Sequence, residues 1–376
     1  MLISRVADHC FWFGRYLERA EATARSLGST RDALMGAELE EGLSWLPIII
    51  AAGEEASFKE HFGQQDPHAG EDGELVQHYM VWDEHNPSRL AASIAAIRAN
   101  ARSIRDHLSL EVWQQVNELH WWIAHDPNQS AGPLSTQTQT QTQTQTQTQT
   151  QTAAPSLAQP RAPAPAQLQA QASVRGIGSA RGAWERDRHA FYAHVVESSA
   201  LTAGLLRTTM LRDRPFDFII LGSMLERASQ TARILDVHHH ALRLQHSHVV
   251  IDTMLWLALL RACTGYEPFM RRHRGRVTGK AVAAFLIQDP RFPRSIGFAL
   301  EAALDRLDSI RQQDGDGSPL GGSSRDRLAN LVEWLGSRTS VDLAGEAVHA
   351  TLTHVVDEVH GVAHEIGVDL LGHERD

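Results

Sequence analysis

Two glutamate–arginine pairs, Glu18-Arg19 and Glu226-Arg227, combine residue types that could do chemistry with a spacing that repeats. Each lies in a near-copy of one string, GRYLERAEATARSL at 14–27 and GSMLERASQTARIL at 222–235, identical at nine of fourteen aligned positions. On a helix Glu18 and Arg25 share a face, as do Glu226 and Arg233, and Arg15 lies one turn before Glu18. Leu17, Ala20, Ala24 and Leu27 form an adjoining apolar stripe, so the charges border a core. Two carboxylates meeting in a cleft can do acid–base work or hold a cation, while guanidinium forks bind a carboxylate or phosphate bidentately. In that reading Glu18, Arg19, Glu226 and Arg227 are the catalytic candidates, and Arg25, Arg233 and Arg294 bind substrate. A structural reading competes: Glu18 bonds an arginine of the other copy, Glu226 reciprocates, and two near-buried bridges fix how the copies dock. Arg15 becomes Ser223 and Glu21 becomes Ser229, so neither charge is expected to be needed by both copies.

The elements that must position these strings read as helices throughout. Apolar periodicity predicts them near 4–35, 42–62, 74–82, 88–108 and 109–125, then near 184–211, 216–243, 249–272, 279–288, 293–312, 324–337 and 340–370. The duplication extends beyond the glutamate–arginine strings. WLPIIIAAGEEASF (45–58) echoes WLALLRACTGYEPF (256–269), and VQHYMVWDEHNPSRL (76–90) aligns on VAAFLIQDPRFPRSI (282–296). The expected fold is all-α, an internally duplicated helical bundle with pseudo-twofold symmetry in which each copy covers the apolar face of the other. The first repeat is drawn at 1–127 and the second at 183–372. Between them, 128–182 holds eight Gln-Thr pairs and a Pro/Ala/Gln-rich tract, with too little apolar surface to offset ordering, and reads as a disordered insert.

Composition narrows the function classes. A formal charge of −10 argues against a nucleic-acid partner. Two cysteines are too few for a disulfide scaffold or a thiolate metal site, and each sits in an apolar helical context. No signal peptide or membrane span is read, which predicts a cytoplasmic protein. Among the 21 histidines, the Glu-x-x-His spacing of di-iron bundles occurs once, at Glu346/His349. His354, Asp357, His360 and His364 share one helix face that could hold a metal but reads better as a solvated stripe. HHH at 238–240, with His246 and His248, follows the second glutamate–arginine string and needs no ligand. The basic run RRHRGRVTGK (271–280) lacks the spacing of a phosphate-binding loop. No metal and no cofactor is expected.

The segments SRVADHCFWFGRYLERAEATAR, NPSRLAASIAAIRANARSIRDHLSLEVWQQVN and FPRSIGFAL resemble the alpha-E domain family, an all-helical group with a Glu-Arg motif. The resemblance covers both halves and omits only the low-complexity insert. It implies company with circularly permuted ATP-grasp proteins and transglutaminase-like proteins, hence a system that makes or modifies peptide or amide bonds. The first expectation is an accessory or co-catalytic subunit of an ATP-grasp-type ligase. The alternatives are a stand-alone enzyme acting on an anionic peptide-like substrate, and a structural interaction scaffold. No nucleophile elbow, Cys-His signature or Rossmann glycine loop favours the enzyme.

Overall fold

The computed structural model describes residues 4–36, 45–63, 66–124, 179–244, 249–274, 276–313, 321–339, 341–343 and 347–374. Among them every regular element is helical. In the first half these are α1 (Ser4–Gly36), α2 (Leu46–Ala52), α3 (Glu55–Phe58), α4 (Gly73–Val81), α5 (Leu90–Ser103) and α6 (Leu110–Ala124). The second half has α7 (Ala180–Arg186), α8 (Arg188–Thr209), α9 (Arg214–Leu244), α10 (Val249–Ala262) and α11 (Tyr266–His273). It ends with α12 (Gly279–Gln288), α13 (Ile296–Gln312), α14 (Gly322–Gly336) and α15 (Ala347–Ile366). Residues 128–178 of the low-complexity insert lie outside the described residues. Its last residues do not: Ser179 caps α7 by accepting the Gly182 N–H at 3.1 Å, and Ala180 is buried.

The two expected Trp-led helices each break in two, at 53–54 and at 263–265. Gly53 (φ 81°) and Thr264 (φ 53°) adopt the left-handed conformation that ends a helix and turns the chain back. The same pair of backbone bonds closes each end: Gly53 N–H to Ile50 O and Glu54 N–H to Ile49 O, against Thr264 N–H to Arg261 O and Gly265 N–H to Leu260 O. The last expected helix begins later than 340, because Asp342 folds back on the Thr339 N–H at 2.7 Å.

The core is organised around α1 and α9, which carry the two glutamate–arginine strings and make the most extensive helix–helix contact. α1 also packs on α5 and α8, and α9 on α13 and α15. Each central helix reaches the Trp-led helix of the other half, α1 to α10 and α9 to α2. Where α1 and α9 cross, Gly14 faces the backbone of Ile219 and Gly222 faces the backbone of Phe11. A Cβ at either position would lie inside the 3.0 Å limit from a carbonyl oxygen of the other helix, so only glycine permits this approach. No helix among the described residues is long and apolar enough to cross a membrane.

Candidate functional site

The close crossing of α1 and α9 sets two carboxylates into the interior. Glu18 and Glu226 are 4% and 2% exposed, and an isolated charge at such depth is prohibitively costly. Each is met by arginines from across the crossing. Arg227 grips Glu18 with a two-pronged fork, Nε to Oε1 at 2.9 Å and Nη2 to Oε2 at 2.6 Å. Arg19 grips Glu226 likewise, Nε to Oε1 at 2.7 Å and Nη2 to Oε2 at 3.1 Å. This geometry makes the strongest class of protein hydrogen bond.

Each carboxylate then gains different outer partners. Arg294, from the turn before α13, donates from Nη1 to Glu18 Oε1 at 3.0 Å and also pairs with Glu21. Glu226 accepts from Arg15 Nε at 2.8 Å and from Gln230 Nε2 at 3.1 Å. The turn carrying Arg294 is itself tied down: Arg227 Nη1 donates to Pro293 O at 3.2 Å and Thr231 Oγ1 to Arg294 O at 3.2 Å. Both carboxylates are thus held as anions by groups of the same chain, Glu226 with four hydrogen bonds and Glu18 with three.

Burial alone would raise both carboxyl pKa values, but the facing arginines outweigh it. Arg15 and Arg19 hold Glu226 down at about 2, from an ordinary 4.5, and Arg227 with Arg294 lowers Glu18. A depressed folded-state carboxyl contributes stability that is full above the unfolded value of 4.5 and is lost as pH falls toward 2. For Glu226 that shift corresponds to about 3 kcal/mol. Urea midpoints measured at pH 7, 4 and 3 should therefore fall steeply below pH 4.5, and Glu226→Gln should flatten the fall.

The remaining expected site residues divide. Arg25 is bound to Glu21 on its own helix at 2.5 Å, and its Nε is buried without a hydrogen bond. Arg233 is half-buried beside Glu226, and its guanidinium forms no ion pair or hydrogen bond with a described residue. Burial chiefly, with Arg19 and Arg15 nearby, pushes its pKa down, against the pull of Glu226 and Glu54. Space for it comes from Gly53, where a Cβ would lie 2.9 Å from Arg233 Nη1. The crossing therefore brings together Glu18, Arg19, Glu226, Arg227 and Arg294, joins Arg25 to them through Glu21, which it shares with Arg294, and leaves Arg233 open.

Three network members escape a search for shared residues. Arg15, Glu21 and Gln230 differ between the strings, yet Arg15 serves Glu226, Glu21 serves Arg294, and Gln230 fills the last site on Glu226. The only sequence signal for Arg15 is its position one turn before Arg19 on the same helix face.

A small, water-sized pocket beside the Glu18–Arg227 bridge is also lined by Thr231, Cys263 and Arg294. Burial pushes the Cys263 and Cys10 thiols up to about 12, which suits packing and not nucleophilic attack. Among the described residues, other histidine candidates are engaged in separate contacts. His354 packs on Trp334 with ring centroids 4.1 Å apart, and His349 pairs with Asp236 at 2.7 Å. Glu346, His246 and His248 lie outside the described residues. The basic run begins inside α11 and not in a loop, with Arg272 pairing Asp289 at 2.8 Å.

Comparison with other proteins agrees with this architecture. An uncharacterised protein of Mycobacterium bovis is 23% identical over 325 residues, covering 84% of this chain and 31% of its own length. An uncharacterised protein of Mycobacterium tuberculosis strain H37Rv is 22% identical over the same length and with the same coverage. The chain thus spans about a third of the length of the curated relatives it matches. No solved structure matches it. The family model for Alpha-E, a predicted alpha-helical domain with a conserved ER motif, covers residues 2–370, and with nearly its whole length matched the chain belongs to the Alpha-E family.

Proposed function

We propose that this chain is an accessory or co-catalytic helical subunit of an ATP-grasp-type ligase that forms or modifies peptide or amide bonds in the cytoplasm. The observation that carries this reading is the neutralisation of Glu18 and Glu226 by bidentate guanidinium groups of the same chain. Carboxylates held this low and bonded this way are poor acids and bases at neutral pH, so the repeated string acts as a clamp between two halves related by a pseudo-twofold axis. The length of the relatives supports a module that works against further domains, because there it occupies about 31% of a longer chain.

The test uses the purified chain with a circularly permuted ATP-grasp protein from the same genome. ATP-dependent ligation of an amine to a carboxylate is followed for each protein alone and for the mixture. The expected result is a complex by size-exclusion chromatography, no turnover by the helical chain alone, and faster turnover by the pair. Turnover by the helical chain alone, or absence of a complex, would sink the proposal. A transglutaminase-like protein is the second partner to try in the same assay.

One observation favours the enzyme reading: Arg233 is charged, half-buried and without an ion pair among the described residues. An anionic group of a peptide-like substrate would complete it, and the guanidinium fork suits a carboxylate or phosphate. Arg233→Met should leave the melting temperature unchanged or raise it, since it removes a cation crowded by Arg19 and Arg15. Arg227→Met should lower it markedly, because Glu18 loses its fork. Equal losses in both variants would make Arg233 part of the clamp.

A further inference from the structure

The first half contains a cluster that the glutamate–arginine network does not use. His61 lies in the tight turn Lys59–Gly63 that continues α3, and Asp83 and His85 lie in the turn after α4. The His61 and His85 rings stack with centroids 3.8 Å apart and planes at 25°. Asp83 Oδ1 accepts the His85 N–H at 2.9 Å and stands 2.8 Å from His85 Nδ1. Each of the three side chains offers a ligand atom, and these atoms all lie within 4.8 Å of one another. His61 and Asp83 are half-buried and His85 is exposed, so the cluster is open to solvent on one side.

The second half shows what the same turn requires. Asp289 occupies the place of Asp83, and its Oδ1 accepts the Arg291 N–H at 2.9 Å, as Asp83 accepts from His85. The turn bonds repeat as well: Asn86 N–H to Asp83 O and Phe292 N–H to Asp289 O. The side chain of Asp289, 5% exposed, is then neutralised by Arg272 at 2.8 Å. Arg272 follows Trp256 by as many residues as His61 follows Trp45. Where the second half puts a fixed cation on its turn carboxylate, the first half puts two imidazoles. An imidazole ring nitrogen can offer a lone pair to a metal ion, which the guanidinium of Arg272 cannot.

We propose that His61, Asp83 and His85 form a binding site for a transition-metal dication of the Zn²⁺ class, which takes the role that Arg272 plays in the second half. Two imidazoles and a carboxylate suit such an ion, whereas Mg²⁺ and Ca²⁺ prefer all-oxygen sets. Binding places each donor roughly 2.0–2.2 Å from the ion. Three protein ligands leave one position for water or for a group from a partner. The turn is already braced for this, because Ser57 Oγ donates to His85 O at 3.2 Å and Tyr79 OH donates to Ser57 Oγ at 3.1 Å.

The test titrates the full chain, chelator-treated and free of any histidine tag, with Co²⁺ and then Zn²⁺. One equivalent of Co²⁺ should give the visible absorption of a low-coordinate nitrogen/oxygen site, Zn²⁺ should displace it, and the melting temperature should rise with metal. His61→Arg copies the second half; it should fold without metal, lose the Co²⁺ band, and melt at a temperature indifferent to Zn²⁺. Asp83→Asn and His85→Ala should weaken binding by at least about 100-fold, since losing even an outer partner of a ligand costs about 10–100-fold. No Co²⁺ uptake by the wild-type chain would overturn the site. So would uptake that persists unchanged in His61→Arg, which would assign the metal to other histidines.

Discussion

Glu226→Gln is expected to destabilise the protein by about 3–5 kcal/mol, the typical consequence of removing one partner from a buried ion pair. The carboxylate is 2% exposed and accepts from Arg15, Arg19 and Gln230. Glutamine keeps the shape but carries no charge, so two guanidinium groups are left facing a neutral amide, one of whose ends donates. At about 2–4 °C per kcal/mol the melting temperature should fall by roughly 6–20 °C. Glu18→Gln should behave alike, with Arg227 and Arg294 stranded. A double-mutant cycle of Glu18→Gln with Arg227→Met separates a clamp from independent charges: coupling of about 0.5–3 kcal/mol is expected, because the second change removes the cation that the first leaves unpaired. Melting temperatures within a degree of wild type for both glutamine variants, with ligase stimulation lost, would instead make the paired strings a chemical site.

Gly222→Ala and Gly14→Ala should cost at least about 3 kcal/mol each, the upper end of what overpacking a core incurs. At Gly222 the added Cβ meets the Phe11 carbonyl, and at Gly14 it meets that of Ile219. Backbone atoms in the middle of a helix cannot rotate aside as a side chain would, so α1 and α9 must separate. That separation also lengthens the Arg227–Glu18 and Arg19–Glu226 bonds, which depend on the same crossing. The loss should therefore exceed that of Gly204→Ala, where nothing lies within 4 Å of the added carbon and alanine favours the helix. Chemical unfolding of the three variants side by side gives the comparison. If Gly222→Ala matched Gly204→Ala in stability, the close approach would not be what holds the two helices together.

The sequence by itself determined the helices, their apolar faces and the residue types at the crossing. Helical spacing is local: Leu17, Ala20, Ala24 and Leu27 share a stripe because of the backbone pitch alone, and all four are buried. The repeated string likewise exposed Gly14 and Gly222, Glu18 and Glu226, and their arginines before any contact was known. The break at Thr264 was not legible, because a threonine in a left-handed conformation has no sequence signature comparable to a glycine. Helix α8 was grouped with the second half by chain order, yet it packs on α1 and α6.

Only the tertiary structure decided who meets whom. The partner of Glu18 lies 209 residues away in the chain, and that of Glu226 lies 207 residues away. Arg15 and Arg294 entered the network although their counterparts in the other half are serines, Ser223 and Ser88. His61 and Asp83 meet only because a turn after α3 folds against the turn after α4. Pitch and periodicity act over a few residues, whereas these pairings follow from how apolar faces pack across the whole chain, where a charge takes its place only once the surrounding helices have fixed the space and excluded water.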